Sequence, residues 1–122
     1  MPIRKILVVD DSATDQQYLR ELLTGKGFQV VTASGGEEGV SKAKSEKPDL
    51  ILMDVVMPGL NGFQATRQLS QDEATKHIPV IICTTKHQET DRIWGMKQGA
   101  RDYVTKPVDG ADLLAKIAAQ GK

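Results

Sequence analysis

Five short apolar runs limit what this chain can fold into: Ile6 to Val9, Phe28 to Ala33, Leu50 to Met53, Val80 to Cys83, and a weaker one from Tyr103 to Thr105. All are of strand length, most are rich in β-branched residues, and stretches with helical spacing lie between them. Tyr18, Leu19, Leu22 and Leu23 share one helical face that stops at Gly25-Lys26-Gly27. Ser34, with Glu37 three residues on, reads as a capping box that opens a second helix ending before Pro48. Further helices are expected over Gly62 to Leu69, over Glu89 to Gln98 with Gly99 as C-terminal cap, and from Asp109, with Leu113, Leu114 and Ile117 turned inward. The first, third and fourth runs lack polar alternation, so helices must cover both of their faces. This pattern predicts an α/β fold built on a doubly wound parallel sheet.

In such sheets ligands bind outside the carboxyl ends of the strands, near the point where strand order reverses. The residues at those ends are Asp10 and Asp11 after the first run, Asp54 after the third, Thr84 after the fourth and Lys106 after the fifth. If these four strands are neighbours, three carboxylates, a hydroxyl and an ammonium converge in one shallow pocket. Carboxylates at contact range raise one another's pKa unless a cation neutralises them. Oxygen-only ligands with room for water and a phosphate oxygen suit Mg²⁺ better than a calcium cage or a soft metal. Asp54, set between Leu50-Ile51-Leu52-Met53 and Val55-Val56-Met57-Pro58, is the candidate nucleophile, because an acid amid such apolar sequence is costly without a role. Carboxylate attack on phosphorus gives an acyl phosphate. Lys106 would pair with the phosphoryl oxygens as a mobile point charge, and the Thr84 hydroxyl would donate to the same group.

Together, Asp10-Asp11, Asp54 with Met57-Pro58-Gly59 and Gly62, Thr84, and Lys106-Pro107 resemble the response-regulator receiver domain, over about Ile6 to Ile117. The resemblance implies the flavodoxin-like (βα)5 fold, with strand order 2-1-3-4-5. It implies Asp54 as phosphoacceptor, Asp10, Asp11, Asp54 and the Val56 carbonyl as Mg²⁺ ligands, Thr84 and Tyr103 as a switch pair, and a cis peptide bond before Pro107. It also implies a CheA-like histidine kinase as phosphodonor and a downstream partner on the helix 4, strand 5, helix 5 face. Met57 to Arg67, Thr84-Thr85-Lys86, Gln88 to Asp91, Trp94-Gly95 and Gln98 to Tyr103 are most similar to the stand-alone regulators of type IV pilus motility, including relatives in phototactic gliding. Val56, two past Asp54, and Lys86, two past Thr84, depart from the chemotaxis-regulator pattern at positions that influence hydrolysis of the acyl phosphate. Thr85 stands where a smaller residue is frequent.

Length and charge narrow the alternatives. The chain has 122 residues, which suits one domain over 1–122 with no output module. Lys+Arg and Asp+Glu both number 16, so no net field draws it to nucleic acid or anionic lipid. The one cysteine, Cys83, forbids an internal disulfide and suits a core position in a reducing compartment. No apolar segment approaches signal-peptide or membrane-span length, so cytoplasmic placement without membrane insertion is expected. A phosphatase of the haloacid dehalogenase type, by resemblance, needs a second Asp where Val56 stands. A flavin or nucleotide site is opposed by the acidic stretch Asp10 to Asp15 and by the lack of a glycine-rich phosphate loop. Left open are a phosphorylation switch acting on a partner, a phosphate sink for a shared kinase, a receiver that binds without phosphorylation, and a monomer against a phosphorylation-dependent dimer. Simpler readings also stand: Asp11 or Ser12 as a helix cap, Thr84 as a strand end, Lys106-Pro107 as a surface turn, Tyr103 as a half-buried ring with a wet hydroxyl, and Trp94 as either core or contact surface.

Overall fold

The computed structural model describes residues 2–121. Strands β1 (Lys5–Val9), β2 (Gln29–Ala33), β3 (Leu50–Met53), β4 (Val80–Thr84) and β5 (Asp102–Thr105) alternate with helices α1 (Ala13–Thr24), α2 (Gly36–Glu46), α3 (Gly62–Gln71), α4 (Glu89–Lys97) and α5 (Gly110–Gln120). The strands are all parallel, in the order β2-β1-β3-β4-β5, which is the flavodoxin-like arrangement expected from the sequence. Order reverses between β1 and β3, and their register pairs Val9 with Met53, so the residues after them, Asp10 and Asp54, leave the sheet side by side. No helix among the described residues is long and apolar enough to cross a membrane.

The period-2 alternation of a strand divides the core in two. Ile6, Val8, Leu50, Leu52, Ile81, Cys83 and Val104 face Leu19 and Leu23 of α1 and Leu113 and Ile117 of α5. Leu7, Val9, Ile51, Met53 and Val80 face Ala43 of α2 and Ala65 and Leu69 of α3. Cys83 is thus a core residue, and burial pushes its thiol up to about 12. A smaller cluster of Val55, Ile82, Ala100 and Tyr103, with Phe63 against it, lies under α4.

Two local expectations need correction. The second helix is not opened by a Ser34–Glu37 box: Gly35 is its N-cap, and the Glu38 carboxylate accepts from the Ser34 amide at 2.8 Å. Tyr18 does not join the buried face of α1; its ring is exposed, and its hydroxyl donates to the Val108 carbonyl at 3.2 Å. Leu114 is only partly buried beside Leu113 and Ile117.

Candidate functional site

The four neighbouring strands bring the expected polar residues to one edge. The Asp10 amide donates to the Ala33 carbonyl, the Asp54 amide to the Val9 carbonyl, and the Lys106 amide to the Thr84 carbonyl, all at 2.8–3.0 Å, so the ladder continues one residue past each strand end. Asp10, Asp54 and Thr84 are buried and Asp11 is exposed at the rim. Ligand oxygens of Asp10, Asp11 and Asp54 lie within 4.8 Å of one another.

Each buried carboxylate is held by an amide. One Asp10 oxygen accepts from the Ser12 amide at 2.9 Å, and one Asp54 oxygen accepts from the Val55 amide at 2.8 Å. Gly62 explains how the backbone after Asp54 can turn so tightly. Its amide donates to the Val55 carbonyl at 3.0 Å, and a Cβ added there would stand 1.9 Å from the Asp54 carbonyl oxygen. The Asn61 side chain caps α3 from the same loop, with Gln64 completing a capping box. Val56, two residues beyond Asp54, has an exposed side chain, and so does Thr85 beyond Thr84.

Lys106 supplies the positive charge. Its ammonium donates to Asp10 at 2.7 Å and to Asp15 at 2.8 Å, and stands 3.7 Å from the nearer Asp54 oxygen. Burial pulls the Lys106 pKa down, but the hydrogen bonds to Asp10 and Asp15 and the Asp54 charge outweigh it and hold it above its ordinary value. Burial raises the Asp54 pKa, and the nearby Asp10 charge raises it further. Lys106, the Val55 amide and the Thr84 hydroxyl offset part of that rise. The donor set fits a hard divalent cation: its groups are all carboxylate oxygens, two of the three are buried, and Lys106 neutralises only part of their charge. His77 and His87 join no such cluster among the described residues.

The sheet edge runs on to Tyr103 and α4. Thr84 Oγ1 accepts from the Lys86 amide at 3.3 Å, and the Lys86 carbonyl accepts from the Tyr103 hydroxyl at 2.8 Å. The Tyr103 ring is therefore buried and its hydroxyl bonded to backbone, not half-buried and wet. Burial, with Asp91 and Asp54 adding, pushes the phenol up to about 12. The Lys106–Pro107 peptide bond is cis.

The profile of the response regulator receiver domain matches residues 6–118, nearly the whole chain. The chain belongs to the response regulator receiver domain family. Protein PilH of Pseudomonas aeruginosa is 60% identical over 115 residues, covering 94% of this chain and 95% of PilH. PleD of Caulobacter vibrioides is 42% identical over 113 residues, and there the receiver spans only 25% of a longer protein. Among solved structures, the CheX-CheY-BeF3-Mg²⁺ complex of Borrelia burgdorferi superposes with a TM-score of 0.89 at 28% identity, covering 95% of this chain and 87% of that one.

Two features of this receiver escaped the strand-end reading. Asp15 lies on α1, not at a strand end, yet it touches Lys106 across 91 residues of sequence. Its signal was its place in the first helical turn after Ser12, whose side chain accepts from the Asp15 amide and caps α1. Gln16 follows it, and its side-chain amide donates to the carbonyls of Asp10 and Ala33, tying α1 to the ends of β1 and β2. Trp94 is exposed, so it is not a core residue.

Proposed function

We propose that this receiver is a stand-alone phosphorylation switch, spanning 1–122 as its own functional unit in the cytoplasm, and that it regulates type IV pilus-dependent motility. The observation that carries the chemistry is the convergence of Asp10, Asp11, Asp54 and Lys106 at one edge of four adjacent strands. The 60% identity to PilH across nearly both whole chains supports the motility assignment.

In this reading a CheA-like histidine kinase presents a phosphohistidine to the pocket. The free Asp54 oxygen attacks phosphorus as the N–P bond breaks, and the electron pair returns to the donor imidazole. Asp10, Asp11, Asp54 and the Val56 carbonyl would hold Mg²⁺, which when bound supplies the charge that lets a carboxylate approach an anionic phosphoryl group. Lys106 pairs with the phosphoryl oxygens, and the Thr84 hydroxyl donates to them. Attack of water on phosphorus later frees inorganic phosphate and restores the Asp54 carboxylate, so the chain turns over only its own modification.

Movement of Thr84 changes its contact with the Lys86 amide, and the Lys86 carbonyl is what holds the Tyr103 hydroxyl. That short path ends under α4. There Ile93, Trp94 and Met96 are 48%, 51% and 38% exposed, an apolar surface suited to a protein partner and favouring an effector over a pure phosphate sink.

Intact mass after incubation with acetyl phosphate tests the proposal. A single phosphoryl adduct that requires Mg²⁺ and is lost in Asp54→Asn is the expected result. A folded wild type that binds Mg²⁺ yet takes no adduct from acetyl phosphate or from a phosphorylated kinase would contradict it.

A further inference from the structure

The best-placed cation of the pocket is shared unequally. Two of the three hydrogens of the Lys106 ammonium are committed, at 2.7 Å to Asp10 and at 2.8 Å to Asp15, while Asp54 at 3.7 Å lies beyond hydrogen-bond range. Asp10 is a buried member of the carboxylate cluster. Asp15 is neither: its side chain is 42% exposed, and among the described residues it belongs to no group of oxygens close enough to ligate an ion with Asp10, Asp11 and Asp54. Its place is nonetheless well defined, because Ser12 caps its amide at 3.2 Å and Gln16 ties the same turn to the strand ends.

We infer that Asp15 is a positioning residue for phosphoryl binding: its carboxylate holds the Lys106 ammonium on the α1 side of the pocket, in competition with a phosphoryl group on Asp54. The argument is one of donor count and distance. A cation held by the cluster would compete for Asp10, which would leave Asp15 as the hydrogen-bonded partner of Lys106 outside the cluster. A phosphoryl group on Asp54 must then draw the ammonium across, against the Asp15 contact. Asp15 therefore weakens binding of the phosphorylated state's charge pattern and lowers its population. The inference rests on the pocket accepting a phosphoryl group, as proposed above.

Beryllium trifluoride with saturating Mg²⁺ is the probe, since it occupies the phosphoryl position without turnover; binding is followed by 19F NMR and calorimetry. A half-exposed ion pair is worth up to about 1 kcal/mol, so Asp15→Asn is expected to bind the probe about two- to fivefold more tightly. Asp15→Glu, which keeps the charge and the reach to Lys106, is expected to return towards the wild-type affinity. In a Lys106→Met background the Asp15→Asn effect is expected to vanish, which a purely structural role or a general field effect of the lost charge would not produce. Thermal unfolding of each variant checks that α1 is intact.

The outcomes separate cleanly. A wild type that binds no beryllium trifluoride with Mg²⁺ present would overturn the phosphoryl site itself. A wild type that binds, with Asp15→Asn equal or weaker, or with the gain persisting in Lys106→Met, would overturn the role of Asp15 alone.

Discussion

Helices α3 and α4 both pack under the second face of the sheet and are of similar length, yet they are attached very differently. Helix α3 buries Gly62, Ala65, Thr66 and Leu69, is capped by Asn61, and rests its first residue on the backbone of Asp54. Helix α4 buries only Gly95 and leaves Ile93, Trp94 and Met96 exposed. In the proposed switch the contrast separates two tasks. A pocket that must hold carboxylates at fixed distances needs a neighbour with no freedom, whereas an element that changes on a small chemical cue needs little buried area to give up.

Two glycines make the contrast testable. At Gly62 an added Cβ meets the Asp54 carbonyl oxygen at 1.9 Å and Val55 Cα at 2.8 Å, both backbone, so nothing nearby can yield. Gly62→Ala is expected to lower unfolding free energy by about 3 kcal/mol or more, read by urea denaturation, and to abolish adduct formation. At Gly95 the nearest atom is Ile82 Cδ1 at 2.7 Å, a side-chain end that can rotate away. Gly95→Ala is expected to cost only about 1–2 kcal/mol, to loosen α4, and to leave the Asp54 adduct intact. Equal losses at the two positions would erase the distinction.

A smaller effect sharpens the account from the pocket side. Because burial and Asp10 raise the Asp54 pKa in the folded state, the charged carboxylate opposes folding at neutral pH. Asp54→Asn removes that charge and is expected to raise stability at neutral pH without Mg²⁺ by on the order of 1 kcal/mol. The sign with pH follows from the raised value: the advantage is full above the folded pKa of Asp54 and fades as pH falls towards the ordinary carboxylate range, where the wild type is protonated too. Denaturation midpoints of both proteins across that range check it.

Much of this is legible in the amino-acid sequence. The apolar runs lie within one or two residues of the observed strands, and the pocket residues sit at or one or two residues past the strand ends, so local sequence was enough to place them. What it could not supply were contacts made by chain segments far apart. The Asp15–Lys106 pair spans 91 positions and the Tyr103–Lys86 bond 17, and neither leaves a periodic trace. Tyr18 failed as a core residue because the Val108 carbonyl, 90 positions away, offers its hydroxyl a partner at the surface. Gly35 takes the cap of α2, which moves the accepting carboxylate from Glu37 to Glu38, a shift that the Ser34–Glu37 spacing does not reveal. Trp94 could not be placed from sequence, because it is the small residue beside it, Gly95, that α4 turns against Ile82, Phe63 and Tyr103.

The central claim is that chemistry at Asp54 is read out at α4 and not at α3. Hydrogen exchange, resolved to each helix and measured with and without Mg²⁺ and acetyl phosphate, tests it most directly. The account predicts that α4 exchanges faster than α3 at rest, and that phosphorylation alters exchange across α4 and the Lys86–Tyr103 contact while α3 stays constant. The same treatment of Asp54→Asn should change neither helix. A phosphoryl adduct confirmed by mass, with exchange at α4 unaltered, would contradict the account.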